Sequence, residues 1–261
     1  GILDLAVKRR EGLKNFDLEN ISRNSNRIGF MRQYLVLLVA AVLNNAEKNS
    51  SGLHKKLVKA LEEQGLLSNT VFITTNYDLL IDMALNSLPG RSLDYGFEFC
   101  DSGHRMEEGK KISLYKVHGS LNWLYCPTCN IISLTKNEPG VIRLLTDLNK
   151  SDCEECGSIM LPVIVPPTFF KEMSNVYLSA VWNKAELALR LADRIVFCGY
   201  SFPDSDIHIK YLLKRVQTNR KDTRALKFTV INYHHGKNPY TAVQERNRYM
   251  RFLRNGVDYT N

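Results

Sequence analysis

Apolar positions along the chain follow a helical rhythm first and a strand rhythm afterwards. The densest apolar run, Tyr34-Leu-Val-Leu-Leu-Val-Ala-Ala-Val-Leu43, is too short to span a bilayer and reads as a buried helix. Leu53, Leu57, Val58 and Leu61 recur at helical spacing up to Gln64, and Gly65 supplies a stop. Residues 1–66 therefore read as a helical segment, with Asn44, Asn45 and Ser50-Ser-Gly52 between its apolar stretches. Val71-Phe-Ile-Thr-Thr75 is then a short β-branched run, a buried strand, turned by Asn76-Tyr-Asp78 into a helix over Leu79–Leu88 that Pro89-Gly90 closes. Residues 91–110 read as a polar loop, and Ser113–Val117 as the second strand. Residues 123–160 show little periodicity, the mark of an insert. Leu161–Val165 is a third short strand, stopped by Pro166-Pro167. Val176–Ala192 places Val181, Ala185, Ala188, Leu189 and Ala192 on one helical side. Arg194-Ile-Val-Phe-Cys-Gly199 is a near-continuous apolar strand, the pattern of a central parallel strand. A helix over Asp206–Val216, a strand over Leu226–Asn232 and a basic helix over 240–254 complete the chain. Strands alternating with helices argue an α/β fold with a doubly wound parallel sheet. There is no internal repeat and no low-complexity segment.

Composition narrows this only a little. With 261 residues, 44% hydrophobic and 24% charged, the chain is of ordinary globular make-up, long enough for one large domain or two small ones. A net charge of +8 favours anionic partners such as nucleotides. No basic stripe interleaved with aromatics accompanies it, so nucleic acid is not indicated. The charges near Gly1 follow the short apolar run, the wrong order for a secretion signal, so a cytoplasmic protein with no membrane partner is expected. The chain begins without Met, as expected of a fragment or a processed chain.

The cysteines change the picture more. Cys126-x2-Cys129 and Cys153-x2-Cys156 are two thiol pairs at the spacing that lets each share one tetrahedral ion, and together they complete a Zn(Cys)4 site. Pro127 and Gly157 suit the tight turns. Disulfides are the alternative, disfavoured by the lack of a secretory signal. Four thiolates leave no open position, so the zinc is expected to be structural. Cys100 and Cys198 fall outside the pattern, and Cys198 reads as a small core residue.

Candidate chemistry gathers at strand ends, where open α/β sheets bind ligands. Thr75-Asn76-Tyr77-Asp78, His118-Gly119, Gly199-Tyr200-Ser201 and Asn232 all follow apolar strand runs. Each has a plain structural reading: an Asx turn with a helix N-cap at Asn76 and Asp78, a strand-capping imidazole at His118, a tight turn at Gly199. An imidazole near its ordinary pKa also suits general-base chemistry at neutral pH.

Taken together, the order of these motifs from Val71 to Asn232 resembles the sirtuin-like NAD-consuming proteins. Thr74-Thr75-Asn76-Tyr77-Asp78 resembles the family's T-Q-N-x-D, Lys116-Val-His118-Gly119 its catalytic H-G, the cysteine pairs its zinc module, and Gly199-Tyr-Ser201 its G-T-S. The string Val196–Asp206 is similar to the prokaryotic branch found in antiphage defence proteins. The resemblance implies a single domain over 1–261: a Rossmann-like parallel sheet with helices on both faces, plus a small zinc-ribbon-like insert at 123–160. It implies His118 and Asn76 as catalytic, with His118 the base and Asn76 orienting a water or ribose. Thr75, Asp78, Gly199, Ser201 and Asn232 would bind NAD, Ser201 and the Gly199 amide meeting phosphate at a helix start. Trp123 is expected to pack the insert on the main sheet, and His234 and His235 to be exposed in a loop.

The chain departs from the family twice. No G-A-G-x-S phosphate loop is present, so it is expected upstream of Gly1. Where sirtuin deacetylases carry F-G-E, Val165-Pro-Pro-Thr-Phe-Phe-Lys171 stands here. The expectation is an enzyme hydrolysing NAD to nicotinamide and ADP-ribose in antiphage defence. An NAD-dependent lysine deacetylase and a non-catalytic nucleotide sensor are the alternatives. Homo-oligomerisation and further domains or defence partners stay open.

Overall fold

The computed structural model describes residues 36–43, 45, 52–99, 109–135, 152–165, 175–220, 226–233, 238–253 and 257–260. The rest of the expected helical segment 1–66, and Cys100, His234 and His235, lie outside them. Within that segment, 36–43 is helical, but it is not buried all round: Val36 and Ala40 are covered while Leu38 and Val42 are exposed. The run is one amphipathic face, not a core helix. Helix α1 (Leu53–Glu63) ends as read, with Gly65 at φ 67° and the Leu66 amide donating to the Leu61 carbonyl (2.9 Å).

Three small sheets follow. The first is parallel, with β1 (Phe72–Thr74) and β2 (Arg91–Asp94) on either side of β3 (Lys110–Lys116). Its central strand is the buried one: Ile112, Leu114, Tyr115 and Lys116 all sit inside. β2 falls within the stretch read as a polar loop. Its residues Arg91-Ser-Leu-Asp94 carry no apolar alternation, and backbone pairing to β3, not side-chain burial, makes the strand. Helix α2 (Leu80–Asn86) connects β1 to β2.

The second sheet is antiparallel: β4 (Gly119–Tyr125) lies between β5 (Ile132–Leu134) and β6 (Leu161–Ile164). The third strand of the sequence reading, at 161–165, therefore belongs to this module and not to a parallel sheet. The chain also leaves His118 as another strand, without turning into a helix. Trp123 does pack the module on the main core, buried edge-to-face against Tyr95 (5.4 Å) and Phe97 (5.0 Å).

The third sheet is parallel, in the order β7 (Arg194–Cys198), β8 (Lys227–Ile231), β9 (Val257–Thr260). Helices α3 (Val176–Leu191), α4 (Ile207–Asn219) and α5 (Pro239–Leu253) surround it in sequence. The single doubly wound sheet expected from the sequence is thus two three-stranded parallel sheets, with no ladder between them among the described residues. One hydrophobic cluster nevertheless runs through both, from Leu114 and Val117 through Val181 and Ala185 to Phe197 and Val230. β7 is not central either. Ile195 and Phe197 face that core, but Arg194, Val196 and Cys198 are exposed, so Cys198 is a surface thiol and not a core residue. Among the described residues, no helix is long and apolar enough to cross a membrane.

The buried phenols set a limit on this fold. Burial, then the charge of Asp206, pushes Tyr77 up to about 12. Burial first also raises Tyr95, Tyr200 and Tyr249, assisted by Asp82, Asp206 and Glu245 in turn. A phenol with a higher pKa folded than unfolded keeps its proton in the native state, so its contribution to stability is full below about pH 10 and is lost as pH rises above that. Titration monitored by phenolate absorbance and circular dichroism is expected to show these tyrosines ionising together with unfolding. Full ionisation with the fold intact would contradict their burial.

Candidate functional site

The first half of the site is made by β1 and β3. Parallel register sets Thr74 against Lys116, and the ladder continues beyond both strands: the Val117 amide donates to the Thr74 carbonyl (3.1 Å) and the Leu121 amide to the Tyr77 carbonyl (3.0 Å). Asn76 and His118 therefore sit at neighbouring strand ends. Asn76 is exposed, its amide donating to Thr74 Oγ1 (3.1 Å), and Thr75 is half-buried beside it. Asp78 Oδ1 accepts from the Leu80 amide (3.1 Å), so its carboxylate closes an Asx turn leading into α2. His118 is 4% exposed, with the rings of Tyr77 and Trp182 at 6.3 and 6.4 Å. Trp182 Nε1 donates to the Val117 carbonyl (2.8 Å).

Gly119 is dictated by space. Its φ is +88°, and a Cβ there would stand 1.9 Å from the Val163 carbonyl oxygen. Only glycine lets β4 cross β6 at this point, and the crossing is closed by the Val165 amide donating to the His118 carbonyl (2.9 Å).

The second half lies at the ends of β7 and β8. Gly199 turns the chain at φ +65°, and its amide donates to the Ile231 carbonyl (2.9 Å). That amide is thus committed to the ladder and is not a phosphate donor at a helix start, because α4 begins only at Ile207. Ser201 is exposed, and its carbonyl accepts from Arg248 Nε (2.9 Å). Phe202, at φ 51° and fully buried, stacks on Tyr249 (4.7 Å) and anchors the loop. Asn232 Nδ2 donates to the Tyr200 carbonyl (3.1 Å) and to Glu245, which leaves its buried Oδ1 without a partner among the described residues. An orphaned acceptor at a strand end suits a ligand hydroxyl.

Tyr77 joins the two halves, a role the sequence reading did not give it. Its hydroxyl donates to the Val165 carbonyl (2.5 Å) at the end of β6, and its phenol feels the Asp206 carboxylate from the β7–α4 loop. Asp206 in turn accepts from the Tyr200 hydroxyl (2.7 Å). The sign in the sequence was an aromatic between two polar turn residues, Asn76 and Asp78. A cavity of about 230 Å³ opens elsewhere, between α3 and α4. It shares Trp182 with the surroundings of His118, but its Glu186 and Arg215 already pair with each other (2.8 Å).

The cysteine quartet assembles as read. All four sulfurs lie within 4.8 Å of one another: Cys126 to Cys129 and to Cys156 at 3.5 Å, Cys129 to Cys153 at 3.6 Å. Four sulfurs at about 2.3 Å from one ion are about 3.8 Å apart, whereas a disulfide brings them to about 2.0 Å, so the spacing fits a shared ion and not bridges. The two pairs are built alike. The Cys126 amide donates to the Ile131 carbonyl and the Cys153 amide to that of Ser158, both at 2.8 Å. Asn130 and Gly157, both at positive φ, make the equivalent turns. Hydrogen bonding among the sulfurs splits the thiols: the Cys129 contact brings Cys156 down to about 6, while Cys156 pushes Cys129 up.

Purified protein is expected to carry about one zinc per chain, and protons compete for thiolates, so zinc should leave as pH falls. Chelation or Cys126→Ser should destabilise the fold by several kcal/mol in thermal melts, to the order of magnitude typical of structural zinc. Metal-free protein with an unchanged melt would count against the site.

No curated protein matches the chain. Among solved structures it is similar to a Sir2 in complex with the inhibitor EX-527, 2'-O-acetyl-ADP-ribose and deacetylated p53-peptide, at 20% identity and TM-score 0.38, covering 77% of this chain and 70% of that one. A structure described as the basis for the mechanism and regulation of Sir2 enzymes matches at 18% identity and TM-score 0.38, covering 71% of this chain and 57% of that one. The SIR2-like domain family matches residues 70–253, a span that holds Asn76, His118, Ser201, Asn232 and the cysteine quartet, and the chain belongs to that family.

Proposed function

We propose that the protein cleaves NAD to nicotinamide and ADP-ribose, with His118 as general base and Asn76 orienting the attacking water. The observation that carries this reading is the pairing of an exposed carboxamide with a shielded imidazole at neighbouring parallel strand ends. In the hydrolysis the bond between ribose and pyridinium breaks, its electrons neutralise the ring, and water oxygen bonds the anomeric carbon. His118 takes the proton that water loses. Asn232 Oδ1 would accept from a ribose hydroxyl, and Thr75 and Ser201 would line the strand-end edge. Asp78, engaged in the Asx turn leading into α2, acts by fixing the Asn76 turn. Zinc, when bound, supplies no chemistry; the cysteines hold the antiparallel module that carries Val165 against His118.

The deacetylase alternative needs a strand-like backbone on which a peptide can lie. The Pro166–Lys171 stretch is outside the described residues, but the backbone that leads into it is already engaged. The Val165 amide serves His118 and its carbonyl serves Tyr77. This favours water over acyl-lysine as acceptor. A role in prokaryotic antiphage defence in the cytoplasm is part of the same proposal, supported by the likeness of Val196–Asp206 to that branch.

The full-length protein, incubated with NAD, is expected to release nicotinamide without any acetylated peptide. His118→Ala and Asn76→Ala should each lower the rate, His118→Ala by on the order of 10²–10⁴-fold. Release that depends strictly on the peptide would overturn hydrolysis in favour of deacylation. Binding without release would favour the sensor.

A further inference from the structure

We propose that Lys116, Asp82 and Tyr95, with the Ser120–Asn122 pair beside them, form one buried polar cluster that positions His118, an inference that rests on the reading of His118 as the base. None of these five side chains is more than 5% exposed. Two hydrogen-bonded groups lie side by side. Ser120 Oγ donates to Asn122 Oδ1 (2.7 Å), the Asn122 side chain lies beside the Tyr95 hydroxyl, and that hydroxyl donates to Asp82 Oδ1 (2.7 Å). Lys116 Nζ completes the second group, donating to Asp82 Oδ2 (2.8 Å) and to the Asp78 carbonyl (2.5 Å).

The attachment points give the cluster its meaning. Lys116 is two residues before His118 and Ser120 two residues after, so the cluster grips both flanks of the catalytic imidazole. Through the Asp78 carbonyl it also grips the turn that carries Asn76, and through Tyr95 it grips the end of β2. One ammonium and one carboxylate thus hold three strand ends and the first turn of α2. Stability alone does not account for the arrangement, because a buried ion pair costs desolvation that well-packed apolar residues avoid. Hydrogen bonds in a dry interior instead fix a single geometry. Lys116, Asp82, Tyr95, Asn122 and Ser120 are therefore positioning residues, acting through His118 and Asn76 without touching substrate.

The test uses the full-length protein labelled with ¹³C-histidine, the His118 signal being assigned with His118→Gln. Lys116→Met combined with Asp82→Leu removes both charges together and strands neither. Tyr95→Phe removes one hydroxyl and keeps the ring against Trp123. In both variants, if folded by thermal melt and circular dichroism, the His118 Cε1–H resonance is expected to move or broaden while those of His54 and His208 stay. Steady-state nicotinamide release should show kcat lower by at least about tenfold with KM within about threefold, the signature of lost transition-state alignment. An unmoved His118 resonance in folded Tyr95→Phe would overturn the proposal, and this variant decides the matter if the double variant does not fold. Should the parent release no nicotinamide, the functional reading fails while the resonances still decide the positioning role.

Discussion

Gly119 meets Val163 backbone to backbone, so that a Cβ there would lie 1.9 Å from the carbonyl oxygen. That contact obliges the chain to change sheets immediately after His118. β3 ends a parallel sheet at Lys116, and three residues later β4 is already crossing β6 in an antiparallel one. His118 sits in the step between them, its carbonyl held by Val165 and its ring between Tyr77 and Trp182. The imidazole is shielded because the two sheets meet over it. The cysteine quartet acts at a distance, by keeping the far ends of the antiparallel module together so that β6 returns to this crossing.

A second constraint runs along the polar interior. Burying Lys116, Asp82, Asn122 and Ser120 is tolerable because each meets a polar partner, at between 2.5 and 2.8 Å. The Gly199–Asp206 loop is organised on the same logic at the other sheet. Its Tyr200 carbonyl collects the Tyr249 hydroxyl and the Asn232 amide, and Asp206 collects the Tyr200 hydroxyl. Polar contacts thus organise both strand-end loops, and Tyr77 lies between them, bonded to Val165 and facing the charge of Asp206.

The sequence showed much of this, and its failures have physical reasons. β1, β3, β7, β8 and the long helix were legible because their apolar residues keep a single period. β2 and β9 were not, since their edge strands owe little to apolar side chains. The start of β4 was hidden because Ser120 and Asn122, polar by type, are buried and hydrogen-bonded to each other and so broke the apolar alternation. β7 misled in the opposite way: Val196 and Cys198 look like core residues yet face outward. The cysteine spacing foretold the quartet directly, because two residues between thiols leave few other geometries. Tyr77 and the committed Gly199 amide were invisible, since hydrogen-bond partners distant in the chain leave no local mark.

The central claim is that the strand-end pair Asn76–His118 and the pair Ser201–Asn232 serve one ligand. The most direct measurement is a titration of isotope-labelled protein with ADP-ribose, following the side-chain resonances of Asn76, His118 and Asn232 and the Ser201 amide. The account predicts that all four move along curves with a single Kd. Movement confined to one pair, or two distinct Kd values, would contradict it.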